Sequence, residues 1–332
     1  MNLDTSYLGL KLRNPLVASP GPMTATAGGI ARLAEAGVGA VVLPSLFEEQ
    51  IRAEAERDER LAEVNADSFA EATTFLVDPG ASTRPRQYSL IERAAGSGVP
   101  VIASLNGSTT GGWTEYARAM QDAGAAAIEL NIYYLPQEML TPARDAEQRF
   151  IDILGEVKAV VSVPVAVKLT PYFSSFGEMA VRLDRAGADG LVLFNRFMQT
   201  DVNPDTLTVS TGFRLSSPAE ATAARSWIAR LRGQVRASLA ASTGVETGDD
   251  VAAYLLAGAD VVMTTSSLLR HGPAHAAVLL DGLTAWMQRK GFGGVADFRG
   301  MLAATAGAAG PGYGRSGYLS AVAQATRAYA LR

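Results

Sequence analysis

The stretch that decides the fold runs from Pro164 to Asn195 and reads PVAVKLTPYFSSFGEMAVRLDRAGADGLVLFN. Its two ends, Pro164–Thr170 and Gly190–Asn195, are short apolar runs, and the residues between them are typical of a helix. The helical part ends in Arg185-Ala186-Gly187, where glycine is a common left-handed cap. Since parallel strands buried on both faces are continuously apolar, this stretch predicts a strand, a helix and a second, parallel strand.

The same unit recurs along the chain. Ala-Gly pairs also precede predicted strands at Ala36-Gly37, Ala123-Gly124 and Ala257-Gly258. The eight candidate strands are Pro15–Pro20, Ala40–Leu46, Val99–Asn106, Ala127–Ile132, Pro164–Thr170, Gly190–Asn195, Val235–Thr243 and Val261–Thr265. Eight strand–helix units predict a closed α/β barrel, the (β/α)₈ TIM barrel. An open doubly wound sheet is disfavoured because no GxGxxG motif follows the first strand.

Two segments extend this barrel, which we expect to occupy residues 1–302. Residues 47–88 are predicted to be an insertion after the second strand, with a charged helical part at Phe47–Ala72 and a long loop at Thr73–Tyr88. We expect the charges to face solvent, whereas a long loop beside a barrel mouth is often functional.

The remaining residues, 303–332, are predicted to form an extension. A flexible segment rich in small residues, Ala303–Gly317, precedes a C-terminal helix at Tyr318–Leu331. This extension covers the barrel, contacts a partner subunit or remains mobile.

The composition excludes several classes of protein. The 332 residues include 29 Lys+Arg and 33 Asp+Glu, a net charge of -4, whereas nucleic-acid binders need a clustered basic excess. With no cysteine and two histidines, the sequence excludes disulfides, thiolate zinc sites, iron–sulfur ligation and histidine-rich metal sites. No apolar run reaches the roughly 18 residues of a spanning helix, and the first residues do not resemble a secretory signal. We therefore expect a cytoplasmic protein with no nucleic-acid, membrane or metal partner.

Polar side chains follow the carboxyl ends of the predicted strands, where TIM-barrel sites lie. They are three amides, one lysine and several hydroxyls: Asn106, Asn131, Asn195, Lys168, Ser19, Ser45, Thr243, Thr265 and Ser266. None of the eight ends carries Asp or Glu, which disfavours glycosidase chemistry and magnesium-dependent enzymes. Asparagine amides suit a planar ligand such as a flavin ring or a pyrimidine, or they cap the strand ends.

Lys168 is the most informative of these residues. It lies inside an apolar strand, where an ammonium group must face the barrel interior or lose much of its hydration energy. It is a Schiff-base nucleophile, a cation beside an anionic cofactor, or a side chain that reaches out to water. The hydroxyl clusters Ser242-Thr243-Gly244 and Thr264-Thr265-Ser266-Ser267 follow strands seven and eight, the usual phosphate site of such barrels. Together with Lys168 they indicate a phosphorylated cofactor or substrate.

Motifs across nearly the whole chain resemble the class 1 dihydroorotate dehydrogenases and their FMN-dependent barrel relatives. The motifs are Leu8–Pro15 (LGLKLRNP), Ala18–Gly21 (ASPG), Glu129–Asn131 (ELN), Val167–Phe173 (VKLTPYF), Gly244–Gly248 (GVETG), Gly272-Pro273 and Lys290–Gly300. The resemblance implies that FMN lies over the barrel mouth. It also implies hydride transfer between a substrate carbon and flavin N5, while a base removes a second proton.

The same resemblance implies a role for each site residue. Lys168 would stand near the N1 end of the ring and stabilise negative charge on reduced flavin. Ala18 and Ser19 would lie under the ring, with Ser45, Asn106 and Asn131 at its border. The FMN phosphate would be held by Thr243, Gly244, Thr265 and Ser266, and the substrate by Asn131, Asn195 and Arg196. A homodimer and a place in pyrimidine biosynthesis are also implied.

The chain departs from this family pattern in the substrate half of the site. The family carries a catalytic cysteine or serine after the strand-four asparagine, but Asn131–Pro136 reads NIYYLP and puts Tyr134 at the base position. Pro44 stands where a lysine is expected, and the family's substrate-loop pattern is absent from Thr73–Tyr88. The sequence resembles a divergent, dihydroorotate dehydrogenase-like branch, with Tyr134 and Lys168 as catalytic residues and dihydroorotate or a related C–C or C=C substrate.

Two alternatives to this function stay open. A barrel that has lost its chemistry would act as a binding or scaffold subunit, and Lys168 would serve a Schiff-base aldolase. For the redox enzyme, electrons would leave to a soluble oxidant or through a separate electron-acceptor protein, since the sequence has no cysteine for an iron–sulfur cluster.

Overall fold

The structure is a computed structural model that describes residues 1–47, 86–106, 113–132, 140–196, 200–212, 214–304 and 314–329. The strands in these residues are β1 (Thr5–Tyr7), β2 (Leu10–Leu12), β3 (Leu16–Ala18), β4 (Ala40–Phe47), β5 (Val101–Asn106), β6 (Ala127–Asn131), β7 (Val165–Leu169), β8 (Gly190–Leu193), β9 (Thr200–Asn203), β10 (Thr208–Thr211), β11 (Ser238–Ser242) and β12 (Val261–Thr264). The helices are α1 (Ala27–Glu35), α2 (Arg86–Ala94), α3 (Trp113–Asp122), α4 (Ala143–Lys158), α5 (Phe176–Arg185), α6 (Ala221–Leu231), α7 (Gly248–Ala257), α8 (Ser266–His271), α9 (His275–Lys290) and α10 (Arg315–Tyr329).

Eight parallel strands close into a barrel in the order β11-β12-β3-β4-β5-β6-β7-β8. Each of the eight predicted runs overlaps one of these strands, so the TIM-barrel prediction is confirmed. The four Ala-Gly ends are also confirmed, because Gly37, Gly124, Gly187 and Gly258 have φ of +101°, +100°, +95° and +118°. These left-handed glycines end the helices and turn the chain into the next strand.

The barrel interior is closed at its N-terminal end by the β1–β2 hairpin. Tyr7 and Leu8 pack inside with small residues of the strands, among them Ala127, Ala166 and Ala240. A Cβ on Gly190 would lie 2.5 Å from Leu8 Cδ2, so the glycine leaves room for the Leu8 side chain in its present position. A second, larger core lies between the strands and the surrounding helices.

The register of the strands brings polar residues together near the other end of the barrel. Ser45 is opposite Ser104, Ser104 is opposite Glu129, and Asn131 is opposite Lys168. Since alternate residues of a strand face the same side, Glu129 and Asn131 both belong to the interior-facing set. The C-terminal end of the barrel is therefore polar inside, whereas the N-terminal end is apolar.

The segments outside the barrel differ in part from the sequence predictions. Arg86–Tyr88, predicted as the end of the loop, form the first turn of α2, and residues 48–85 lie outside the described part. The C-terminal helix is confirmed but begins at Arg315, three residues before its predicted start, and none of its residues is buried. The antiparallel β9–β10 hairpin was not predicted. Among the described residues, no helix is long and apolar enough to cross a lipid bilayer.

Candidate active site

A cavity opens at the carboxyl ends of the barrel strands. Its volume is about 700 Å³, including the part that opens to solvent. Nine predicted site residues line it: Ser19, Asn131, Lys168, Asn195, Arg196, Thr243, Gly244, Thr265 and Ser266. The structure thus brings most of the predicted residues to one place, as expected for a TIM barrel.

The other predicted residues do not line this cavity or lie outside the described part of the chain. Ala18 and Asn106 are buried at the ends of β3 and β5, and Ser45 reaches the cavity residue Asn131 through a hydrogen bond. Tyr134 and its neighbour Tyr133 lie outside the described residues, so the assignment of Tyr134 as a base stays a prediction.

A chain of amides and hydroxyls crosses the mouth. Asn195 Nδ2 donates to Asn131 Oδ1 at 2.6 Å, and Asn131 Nδ2 donates to Ser45 Oγ at 3.3 Å. Ser45 Oγ lies 2.8 Å from Ser104 Oγ. Because these residues come from four different strands or strand ends, their hydrogen bonds link neighbouring strands at the mouth of the barrel. The same bonds fix the planes of both amides.

Lys168 forms a buried ion pair that was not predicted. Its Nζ lies 3.3 Å from Glu129 Oε1, and the two residues are 8% and 0% exposed. The sequence prediction considered only strand ends and therefore did not include Glu129, which lies inside β6 two residues before Asn131. Counting alternate residues back from Asn131 would have placed its carboxylate on the interior face.

A third group of polar residues lies at the ends of β11 and β12. Gly244 N donates to Ser216 Oγ at 3.2 Å, and Ser216 Oγ donates to Ser266 Oγ at 3.0 Å. Ser216 is buried and also lines the cavity, but it was missed because it follows the unpredicted β9–β10 hairpin. Hydroxyls and one backbone N–H therefore converge where such barrels hold phosphate.

The backbone of this group is strained. Thr243 has φ of +83°, an unusual conformation for a β-branched residue. Tyr254 is buried behind it, and its hydroxyl donates to the carbonyls of Thr243 at 2.7 Å and Ser242 at 3.1 Å. Burial raises the pKa of Tyr254, so its hydroxyl keeps the proton that it donates. Strain that the surrounding structure maintains is typical of ligand sites.

Arg196 lines the cavity, but its guanidinium is already bound. One nitrogen lies 3.0 Å from Glu220 Oε1, and another donates to the Arg214 carbonyl. Partial burial alone would raise the pKa of Glu220, but the Ser217 N–H and the charge of Arg196 outweigh it and lower that pKa. Contact between Arg196 and a substrate stays a prediction.

Pro44 occupies a β-bulge. The pairing of β4 with β5 steps from Val42–Ile102 to Ser45–Ser104, so β4 has one extra residue between them. A bulge accommodates proline because it has no N–H for the ladder. The carbonyl of Pro44 accepts a hydrogen bond from Gln87, and its ring supplies no charge to the mouth.

Comparison with known proteins identifies the family. The family model for dihydroorotate dehydrogenase matches residues 2–287. The chain belongs to the dihydroorotate dehydrogenase family. Among its relatives, "Dihydroorotate dehydrogenase B (NAD(+)), catalytic subunit" of Methanothermobacter thermautotrophicus is 28% identical over 90% of this chain and 98% of its own length. A protein of the same name from Halalkalibacterium halodurans is 32% identical over 63% of this chain and 70% of its own length.

A relative with a different substrate name also matches. The "Dihydropyrimidine dehydrogenase (NADP(+)), chloroplastic" of Arabidopsis thaliana is 22% identical over 90% of this chain and 76% of its own length. The resemblance stated from the motifs is thus confirmed for the family, and the chain is an oxidoreductase of the dihydroorotate dehydrogenase family.

Proposed function

We propose that this protein is an FMN-dependent oxidoreductase that moves a hydride between a substrate carbon and flavin N5. Its substrate is dihydroorotate, oxidised to orotate, or a related compound with a C–C or C=C bond. The observation that carries the proposal is the position of the Lys168 ammonium group. It lies in the barrel wall and lines the same cavity as the asparagine amides and the serine and threonine hydroxyls of the predicted site.

The residues present fit this cofactor. Ser19 Oγ is buried beside the cavity and has no hydrogen-bond partner among the residues that the structure describes, so it is a donor and acceptor available to a ligand. A Cβ at Gly21 would lie 2.5 Å from Thr265 Oγ1. The glycine therefore keeps side-chain bulk out of the mouth of the barrel. The cluster of side-chain hydroxyls of Ser216, Thr265 and Ser266 suits a phosphate. When bound, FMN supplies a two-electron acceptor at ring atom N5.

The chain's own residues then bind and orient the reactants. Lys168 would stabilise the negative charge of reduced flavin, and Ser19, with Ala18 beside it, would contact the flavin ring. Asn131 and Asn195 present amides to the planar substrate ring, which offers both donors and acceptors. Tyr134 takes the second proton from the substrate.

The names of the relatives bear on the substrate and on the partner. Dihydroorotate and dihydropyrimidines are both reduced six-membered rings, so a ring of this class is the substrate that we propose. The relatives named "catalytic subunit" work with another subunit, and the sequence offers no cysteine for an iron–sulfur cluster. We therefore propose a separate electron-acceptor protein. The family resemblance supports a homodimeric state, and the composition supports a cytoplasmic location.

Anaerobic mixing of the FMN-reconstituted protein with dihydroorotate tests this function through the visible flavin absorbance. Bleaching by dihydroorotate is the expected result, and Tyr134→Phe should slow it. A stable spectrum that dithionite still bleaches would assign a different substrate to a competent flavin site. A protein that binds no FMN would overturn the proposal and favour the scaffold subunit that Pro44 and the altered base position allow.

A further inference from the structure

Glu129 is a buried carboxylate that the proposed chemistry does not use. It has no exposed surface, and one of its oxygens, Oε2, has no hydrogen-bond partner in the described part of the chain. The other oxygen contacts Lys168 Nζ at 3.3 Å, a long distance for a charge-assisted hydrogen bond. Such a half-satisfied carboxylate costs free energy to bury.

The surroundings of Glu129 give no structural reason for a charge. It is opposite Ser104 on β5 and Ala166 on β7. Below it the barrel is closed by Tyr7, and burial, with the nearby carboxylates of Glu129 and Asp260, raises the pKa of Tyr7 well above its usual value. The phenol therefore stays neutral and does not offset the charge of Glu129.

Stability also does not explain the pair. Replacing a buried ion pair with apolar residues of similar size is often neutral or stabilising. Lys168 is the one cation that pairs with Glu129 among the described residues, and it lines the cavity. The carboxylate thus acts on the cavity through Lys168.

We propose that Glu129 is a positioning residue that holds Lys168 and offsets part of its positive charge, and so sets how strongly this site favours reduced flavin. The inference rests on the proposed FMN function. Charges interact more strongly in a buried site than in water, so a carboxylate at this distance weakens the field of the ammonium group over the cavity. The field of Lys168 alone would stabilise the negative charge that the ring gains on reduction more than the pair does.

The two members of the pair therefore have opposite effects on the flavin. In Glu129→Gln the side chain keeps its volume and an oxygen that accepts from Lys168, but it loses its charge. We expect the ratio of reduced to oxidised FMN at a fixed potential to rise roughly tenfold, a positive shift of about 30 mV for a two-electron couple. In Lys168→Met the same ratio should fall by a similar factor, and Glu129→Gln/Lys168→Met should lie between the two single variants.

The experiment is a dye-equilibration measurement of the midpoint potential of FMN bound to each variant, together with its dissociation constant. Asp184→Asn is the matched control, because Asp184 is also a buried carboxylate but lies on α5, outside the barrel, and accepts from the N–H groups of Arg236 and Ala237. It should leave the potential unchanged.

A structural role for Glu129 gives a different pattern. If Glu129 only held Lys168 in place, Glu129→Gln would lower the potential or leave it unchanged, and either result would overturn the inference while the proposed function stood. Should Glu129→Gln not fold, Glu129→Met makes the same comparison with Lys168 still in place, and a potential equal to or below that of the wild type contradicts the inference. A wild-type protein that binds no FMN would instead remove the proposed function.

Discussion

Asn195 Nδ2 donates a hydrogen bond to Asn131 Oδ1 across 2.6 Å, and this bond joins the residues after β8 to the end of β6. Both amides line the cavity, and the second is held in turn by Ser45. Their planes are thus set before any ligand arrives, which lowers the entropy lost on binding.

Asn195→Ala should weaken the binding of a pyrimidine ligand. The change removes one amide and leaves Asn131 Oδ1 without its partner, a loss of about 1–3 kcal/mol, or roughly 5- to 150-fold in the dissociation constant. Orotate binding, followed by its effect on the flavin spectrum, measures this. Asn203→Ala in the exposed β9–β10 hairpin is the control and should bind orotate as the wild type does. Equal affinity in both variants would show that Asn195 takes no part in ligand binding.

Thr243→Gly should stabilise the protein without FMN. Thr243 has φ of +83°, and glycine adopts that conformation without the steric cost that a Cβ imposes. We expect the free energy of unfolding in urea to rise by about 1 kcal/mol. Thr243→Ala keeps the Cβ and serves as the control, with no such gain. A less stable Thr243→Gly would mean that the threonine side chain contributes more than the strain costs.

The free energy of unfolding should fall as the pH rises above about 10. Burial, with smaller contributions from Tyr116 and Glu115, raises the pKa of Tyr88 from 10.0 to about 12. Between these values the unfolded chain releases this proton and the folded chain keeps it, so the contribution is complete below the lower value and lost toward the higher one. Urea unfolding between these two pH values measures the slope, and Tyr88→Phe should make it shallower. An unchanged slope in Tyr88→Phe would contradict this account of Tyr88.

Asp260→Ala should destabilise the fold and leave the cavity intact. Asp260 accepts hydrogen bonds from Arg232 at 3.0 Å and from the backbone N–H of Leu239 at 2.8 Å, and it forms an ion pair with Arg299 at 3.3 Å, all at the N-terminal end of the barrel. Removing a buried carboxylate with these partners should cost about 3 kcal/mol of unfolding free energy.

The FMN dissociation constant of folded Asp260→Ala should equal that of the wild type, because residues at this end of a TIM barrel serve stability. Asp249→Ala is its control, since the exposed pair of Asp249 with Arg289 should contribute nothing measurable. A weaker FMN affinity in Asp260→Ala would show that the two ends of the barrel are coupled.

The barrel could be predicted from the sequence because its strands are buried on both faces. Continuous apolar runs such as Gly190–Leu193 and left-handed glycines such as Gly187 are local signals, and both lie where they were expected. The hairpin could not be predicted, because β9 is exposed along its whole length and has no apolar pattern.

The site was predictable where a residue is unusual for its position. Lys168 and Asn131 stand out in apolar strands, whereas Ser216 is an ordinary serine that reaches Gly244 and Ser266 only through the tertiary fold. Glu129 needed a count of alternate residues along β6 rather than a search of strand ends.

Titration of the purified protein with FMN, followed by quenching of free-flavin fluorescence, tests the central claim most directly. The account predicts one FMN bound per chain with a dissociation constant in the micromolar range or below, and weaker binding in Gly244→Val, a variant that displaces the backbone at the phosphate end. A Cβ at Gly244 would lie 2.8 Å from the Ser217 carbonyl, at a residue whose φ of +70° already disfavours a side chain. No quenching by the wild-type protein at any FMN concentration would contradict the account.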